Sequence, residues 1–221
     1  MPLPESFESF DQEYEKYWAE RDERGILTAP ALRRARGVMD FISPGDKVLD
    51  VGCGTGDTLE LLREEKGIEG TGLDISDRAL EEVSRKGFQT IRMDLADPEA
   101  ELPGRWDHII AFEVMEHVLD AEVMARNLLG SFDAGLYITT PNLGYIAHRL
   151  RMLFGRFPVT YMLDPREHVR YWTTADFRYW AEHVGLGEAQ VIGLRGKVKL
   201  GGAYRRWPSL FASEVLYRFT S

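Results

Sequence analysis

A single cysteine in 221 residues rules out an internal disulfide, so burial and hydrogen bonding must hold the fold. That residue, Cys53, lies between two glycines, where a small side chain is wanted more than a reactive thiol. Long apolar runs are missing too. Around the expected fifth strand, Ala134 to Ala147 is free of charge, but it is only 14 residues long and is broken by Pro141, Asn142 and two glycines. It is too short to cross a bilayer. The N-terminus, Met-Pro-Leu-Pro-Glu-Ser-Phe-Glu, lacks a basic start and an apolar stretch, so no secretory signal is read and a cytoplasmic location is expected. No block of consecutive bases interleaved with aromatics argues for nucleic acid, and no internal repeat or low-complexity tract appears.

What is present fits one compact enzyme domain over 1–221: N-terminal helices over 1–44, a first half over 45–142 and a second half over 143–221. The composition, 44% apolar and 29% charged, is ordinary for a globular protein able to bury a core. Charge is unevenly spread. Residues 148–221 carry 12 Lys plus Arg against 6 Asp plus Glu, whereas residues 1–147 carry 15 against 30. An acidic first half suits a cationic ligand and an arginine-rich second half suits an anionic one, although a plainly solvated surface has the same composition.

The densest signal is Val48-Leu-Asp-Val-Gly-Cys-Gly-Thr-Gly-Asp57, a buried-strand pattern running into alternate glycines at 52, 54 and 56. Glycines there clear side chains from the approach to backbone amides at a helix start. The dinucleotide fingerprint needs glycine at its first, third and sixth positions. Counted from Gly52 the sixth is Asp57, and from Gly54 it is Leu59, so that fingerprint fails. Further acid-tipped strands follow at Gly72-Leu-Asp-Ile75 and Thr90-Ile-Arg-Met-Asp94, and Trp106 to Phe112 reads as a fourth strand ending at Glu113.

This spaced series over 45–142 resembles the class I S-adenosylmethionine-dependent methyltransferases. The resemblance implies a doubly wound, mostly parallel seven-stranded Rossmann-like α/β sheet. It also implies S-adenosylmethionine as cofactor, with S-adenosylhomocysteine as product. Asp50, Gly52, Cys53, Gly54 and Gly56 would then line the methionine end. Asp74 and Ile75 would take the ribose, Met93, Asp94 and Leu95 the adenine, and Phe112, Glu113 and His117 the near wall. Asp97 competes with Asp94, because either can cap the turn before Pro98.

The periodicity predicts helices over 5–24 and 29–42, the latter with Thr28 as a cap and Pro30 near its start. Strands and helices then alternate: strand 47–52, helix 56–66, strand 70–75, helix 77–86, strand 88–93, strand 106–112, helix 116–130 and strand 135–140. Alternation of this kind argues a parallel sheet with right-handed crossovers. Helices over 144–154 and 174–184 and strands at 188–195 and 215–220 complete the reading, with the last strand antiparallel if the family pattern holds. Phe7, Phe10, Tyr14, Tyr17 and Trp18 give helix 5–24 an aromatic stripe that either caps a cleft or packs as core.

If a helix begins by Glu113, then Glu113, Glu116 and His117 fall on one face at the cleft's lip. His117 and His168 are the candidate catalytic bases. Glu-x-x-Glu-His with a later histidine is similar to the series that holds a divalent cation in ubiquinone-biosynthesis O-methyltransferases and small-RNA terminal 2′-O-methyltransferases. No metal is assigned; the alternative ligand set is Glu113, Glu116, His117 and His168, suited to magnesium, manganese or zinc.

In the second half, Thr140-Pro-Asn-Leu-Gly-Tyr-Ile, Gly155-Arg-Phe-Pro-Val-Thr160 and Thr173-Thr-Ala-Asp-Phe177 resemble the methionine-biosynthesis W (MetW-like) family. That resemblance implies an alternative role as an accessory protein that supports homoserine acylation by binding an acyltransferase. The main expectation is O-methylation of a small or glycan-type anionic acceptor. The tail from Gly201 to Phe211 interleaves arginines with Tyr204, Trp207 and Phe211, so it either touches a membrane surface or packs over the sheet.

Overall fold

The structure is a computed structural model that describes residues 28–158, 168–196 and 201–221. The helix expected over 5–24 lies outside the described residues. The elements in chain order are α1 (Thr28–Val38), β1 (Lys47–Val51), α2 (Asp57–Lys66), β2 (Glu69–Asp74), α3 (Asp77–Arg85), β3 (Gln89–Arg92), β4 (Trp106–Phe112) and α4 (Ala121–Leu128). They continue with β5 (Phe132–Pro141), α5 (Ile146–Leu153), α6 (Thr174–His183), β6 (Gln190–Arg195), α7 (Ala203–Arg206), α8 (Pro208–Phe211) and β7 (Glu214–Phe219). Short 3-10 turns follow α1, at Met39–Phe41, and β4, at Met115–His117.

The sheet has seven strands in the order β3-β2-β1-β4-β5-β7-β6. β1 to β5 are parallel, and β7 runs antiparallel between β5 and β6. This is the doubly wound α/β sheet expected from the sequence. Order reverses at β1, whose neighbours are β2 and β4, and ligands of open α/β sheets bind outside the carboxyl ends of strands at such a point.

Two cores cover the two faces. Leu49, Val51, Ile109, Ala111, Leu136 and Ile138 point to one face and pack with α4 and α6 through Met124, Leu128, Phe177 and Ala181. Val48, Ile110, Phe112 and Tyr137 point to the other and pack with α1, α2 and α3 through Val38, Leu62 and Val83. Period-two alternation within strands buried on both sides gives this division. Helix starts carry local signals: Ser76 Oγ accepts from Ala79 N at 3.2 Å, and Thr173 with Asp176 forms a capping box on α6.

One expectation is corrected, and of the two readings of the C-terminal tail the packed one is borne out. Residues 116–130 are not one helix. A 3-10 turn ends at His117, Val118 is extended, and α4 begins only at Ala121. The C-terminal tail folds back as α7 and α8 against β6, with Ala203 buried and Tyr204 packed at the edge of the core, so only Trp207 of its aromatics is largely exposed.

Candidate active site

Asp50, Asp74, Asp94 and Glu113 stand at the carboxyl ends of β1, β2, β3 and β4, along one edge of the sheet. Asp50 lies inside β1 beside Gly72 on β2 and Ile110 on β4. The residue is 3% exposed. Burial first, and then the neighbouring Asp74, push its pKa well above the usual carboxylate range, with Arg34 opposing them.

The loop after β1 is fixed by the backbone of β2. Gly52 N and Cys53 N both donate to Leu73 O, at 2.8 and 3.1 Å. Gly54 N donates to Asp74 Oδ2 at 3.1 Å, and Ser76 N donates to Asp74 Oδ1 at 3.0 Å. The glycines are required by conformation as well as by space: Gly52, Gly54 and Gly56 have φ of 65°, 50° and 76°. A Cβ on Gly52 would lie 2.5 Å from Val114 Cγ2, so it is the chain's own packing against the β4 exit that excludes a side chain there. Cys53 is buried, and burial together with Asp50 and Asp74 raises its thiol pKa, which removes it as a nucleophile.

Beyond β2, Ile75 is half-buried. Met93 N donates to Asp74 O at 3.2 Å, which ties the β3 exit to the β2 tip. Met93 is half-buried and Leu95 fully so, while Asp94 is exposed and accepts from Ala96 N through Oδ1 at 2.8 Å. Asp97 makes the same kind of turn one step on, to Glu99 N at 2.9 Å. Asp94 is the nearer of the two to the strand end. Phe112 is buried in the core that lies under α1.

Glu113 is the one non-glycine residue among those described with positive φ, at 57°. Its amide donates to Thr139 O at 3.1 Å and to Thr139 Oγ1 at 3.0 Å, which holds this unusual conformation. Its carboxylate is 3.5 Å from Arg34 Nη2 on α1. Burial raises its pKa to about 7, against the opposing charge of Arg34. Arg34 Nε and Arg33 also bind the buried Glu214 at the start of β7, at 2.7 and 2.9 Å. This cluster of Arg33, Arg34 and Glu214 carried no motif in the sequence. The two arginines lie about 180 residues from Glu214 in the chain, and only the fold brings them together.

Glu113 does not share a helix face with Glu116 and His117, because the turn between them is 3-10 and Glu113 is left-handed. Instead His168 joins Glu116 and His117. The ligand atoms of these three lie within 4.8 Å of one another. The two imidazoles stack with centroids 4.7 Å apart, and His168 Nε2 is 4.0 Å from Glu116 Oε1. Glu116 is 1% exposed, and neither of its carboxyl oxygens has a hydrogen-bond partner among the described residues. Burial and the nearby Glu113 raise its pKa well above the usual range. Val169 N and Arg170 N both donate to Glu116 O, at 2.9 and 3.1 Å, so the His168 segment is seated on the turn by its backbone. Arg170 adds bonds to the carbonyl oxygens of Val118 and Leu119 and a two-armed pair with Glu122 at 2.5 and 2.6 Å.

The donor set fits a sulfonium nucleoside: the buried carboxyl groups suit a cationic end, and the carboxylate of Asp74 at a strand tip suits a vicinal diol. The profile of the family described as methionine biosynthesis protein MetW matches residues 34–219. A ubiquinone biosynthesis O-methyltransferase from Chromobacterium violaceum is 27% identical over 204 residues, covering 85% of this chain and 84% of that protein. A 2-methyl-6-phytyl-1,4-hydroquinone methyltransferase from a Synechocystis species is 30% identical over 165 residues, covering 70% of this chain and 51% of that one. Among solved structures, a SAM-dependent methyltransferase from Archaeoglobus fulgidus superposes with a TM-score of 0.69 at 17% identity, over 93% of this chain and 99% of that one. At that identity the likeness speaks for the fold.

Proposed function

We propose that this chain, which belongs to the family described as methionine biosynthesis protein MetW and is an S-adenosylmethionine-dependent methyltransferase, methylates an oxygen of a small acceptor. The observation that carries the oxygen assignment is the His117 and His168 pair stacked beside the buried Glu116 at the lip of the cleft. When bound, the cofactor supplies an activated methyl on a cationic sulfur. The chain's part is to hold that end, align the acceptor and take its proton.

In this reading Asp74 binds the ribose hydroxyls, and Asp94, Met93 and Leu95 hold the adenine. Asp50, Glu113 and the glycine loop face the methionine end. Arg34, close enough to act on Asp50, Glu113 and Glu116 alike, pairs with the methionine carboxylate. One imidazole of the pair receives the acceptor's hydroxyl proton, and the other, with Glu116, orients it. An anionic acceptor suits the excess of arginine over acids in residues 148–221. A small-molecule acceptor is favoured over a glycan, since the named relatives methylate in ubiquinone biosynthesis or act on a phytyl hydroquinone. The same relatives weigh against the accessory role in homoserine acylation.

A second reading adds a divalent cation on Glu116, His117 and His168, favoured by the convergence of their ligand atoms. Two imidazoles and one carboxylate suit zinc or manganese better than magnesium, which prefers oxygen. Glu113, included in the sequence-based set, pairs with Arg34 instead.

Calorimetric titration with S-adenosylmethionine and S-adenosylhomocysteine, together with a methyl-transfer assay on small hydroxylated acceptors, each repeated with chelator and with added manganese, tests both readings. Micromolar binding of both nucleosides is expected. Absence of binding would overturn the catalytic reading, and methyl transfer unaffected by chelation would dismiss the metal.

A further inference from the structure

Helix α5 buries none of its residues. Leu150, Leu153 and Phe154 recur at helical spacing and are 50%, 76% and 77% exposed, and Phe157 just beyond is 43% exposed. An amphipathic helix on a globular protein normally turns such a stripe inward. This one turns it out, and a contiguous exposed apolar patch marks a contact surface.

The surrounding charge identifies the partner. From Ala134 to Leu163 there is no Asp or Glu, while Arg149, Arg151 and Arg156 lie on or beside α5, in a chain of net charge −9. Arg149 and Arg151 bond the backbone carbonyls of Gly144 and Phe157, so they carry their charge without a carboxylate among those bonds. The patch also leads to the histidine pair. Phe157 meets Tyr171 edge-on at 5.8 Å, and Tyr171 lies 6.5 Å from the ring of His168. Leu119, 72% exposed, follows the His117 turn.

We propose that α5 and the turn after it dock on an anionic bilayer, with Leu153 and Phe154 entering the acyl boundary and the arginines meeting headgroup phosphates. A second copy of this chain is a poorer occupant, because a two-fold contact would oppose like-charged arginines. The acidic remainder of the molecule is repelled by such a surface, so docking through α5 is also orienting. It turns the His168 side of the cleft toward the lipid, where an acceptor with an apolar tail is presented. That last clause rests on the O-methylation reading; the docking does not.

The test is co-sedimentation with vesicles of phosphatidylcholine alone and of equal parts phosphatidylcholine and phosphatidylglycerol. The full chain is expected to sediment with the mixed vesicles, less as salt is raised, and only weakly with phosphatidylcholine. A Leu153→Asp, Phe154→Asp double variant should bind at least about ten-fold more weakly, and Arg156→Gln about five-fold more weakly. Both should keep wild-type melting temperature and S-adenosylmethionine affinity, since all three side chains are exposed. Equal binding to both vesicle types, or full binding by the double variant, would overturn the proposal. So would a concentration-dependent dimer that the double variant abolishes, in a protein that ignores vesicles. Cofactor titration on the same samples keeps the two ideas apart: failure to bind S-adenosylmethionine would sink the catalytic reading and leave the vesicle result standing.

Discussion

His117 and His168 stack at 4.7 Å between ring centroids with planes 27° apart, one from the turn after β4 and the other from the segment before α6. Stacked imidazoles that share a neighbouring buried carboxylate act as a unit. His117→Ala and His168→Ala are each expected to lower kcat about 100-fold, within the range for losing a positioned base. The double variant should lose little more than either single one. S-adenosylmethionine affinity should stay within about two-fold, read by calorimetry. Full activity in His117→Ala would remove that residue from the mechanism.

Asp74 is the residue proposed to hold the ribose, and it also ties down the glycine loop. If Asp74 holds the ribose as proposed, replacing it with alanine removes one or two charge-assisted bonds, and S-adenosylmethionine should bind about 10- to 100-fold more weakly. The same substitution frees Gly54 N and Ser76 N, which the carboxylate now accepts. A thermal melt should therefore accompany the titration, to separate lost ligand contacts from a loosened loop. Wild-type affinity in a folded variant would move the ribose elsewhere.

Affinity should also depend on pH. Asp50, Glu113 and Glu116 all have raised pKa values, that of Glu113 reaching about 7. A raised carboxyl is favoured neutral in the fold, so burying these groups costs nothing at low pH. The cost grows as pH rises past the ordinary carboxylate range and is complete for Glu113 above about 7. A cationic ligand offsets that cost by stabilising the ionised forms. S-adenosylmethionine affinity should therefore rise between pH 6 and pH 8 with release of protons, and S-adenosylhomocysteine, which lacks the sulfonium, should show a shallower rise. Calorimetry in buffers of different ionisation enthalpy counts the protons. A flat profile for both ligands would deny that these acids face the cationic end.

Glu122 holds the second histidine's segment from α4. Burial works to raise its carboxyl, but bonds from Arg170 and from Trp180 Nε1, the latter at 2.8 Å, bring it down to about 2. Stability from this contact is full above the ordinary carboxylate range and lost as pH falls toward about 2. Glu122→Gln keeps the shape but weakens the pair, and should cost about 1 kcal/mol in a urea melt at neutral pH, since the site is partly open to solvent. Because Arg170 also grips the carbonyls after His117, kcat should fall more than affinity for the cofactor. An unchanged kcat would confine Glu122 to a structural role.

The sequence by itself determined the sheet and its cofactor edge. Runs such as Val48–Val51 and Ile109–Phe112 are apolar enough to be buried on both faces, and glycines at 52, 54 and 56 followed by Asp74 are a local code, because a turn and the strand feeding it lie within one stretch of chain. The helix expected over 116–130 begins only at Ala121, and the helix face expected for Glu113, Glu116 and His117 failed because their spacing does not reveal that Thr139, on the neighbouring strand, holds Glu113 in a left-handed conformation. Only the tertiary structure decided which groups meet at the lip: His168 joined His117, Glu113 was drawn to Arg34, and Arg33 and Arg34 found Glu214. Those meetings depend on strand order, since β5 lies beside β4 and β7 returns beside β5. Pairing between residues far apart in the chain leaves no periodicity to read. The outward apolar stripe of α5 was equally hidden, because its helical spacing is the same whether the stripe faces a core or lipid.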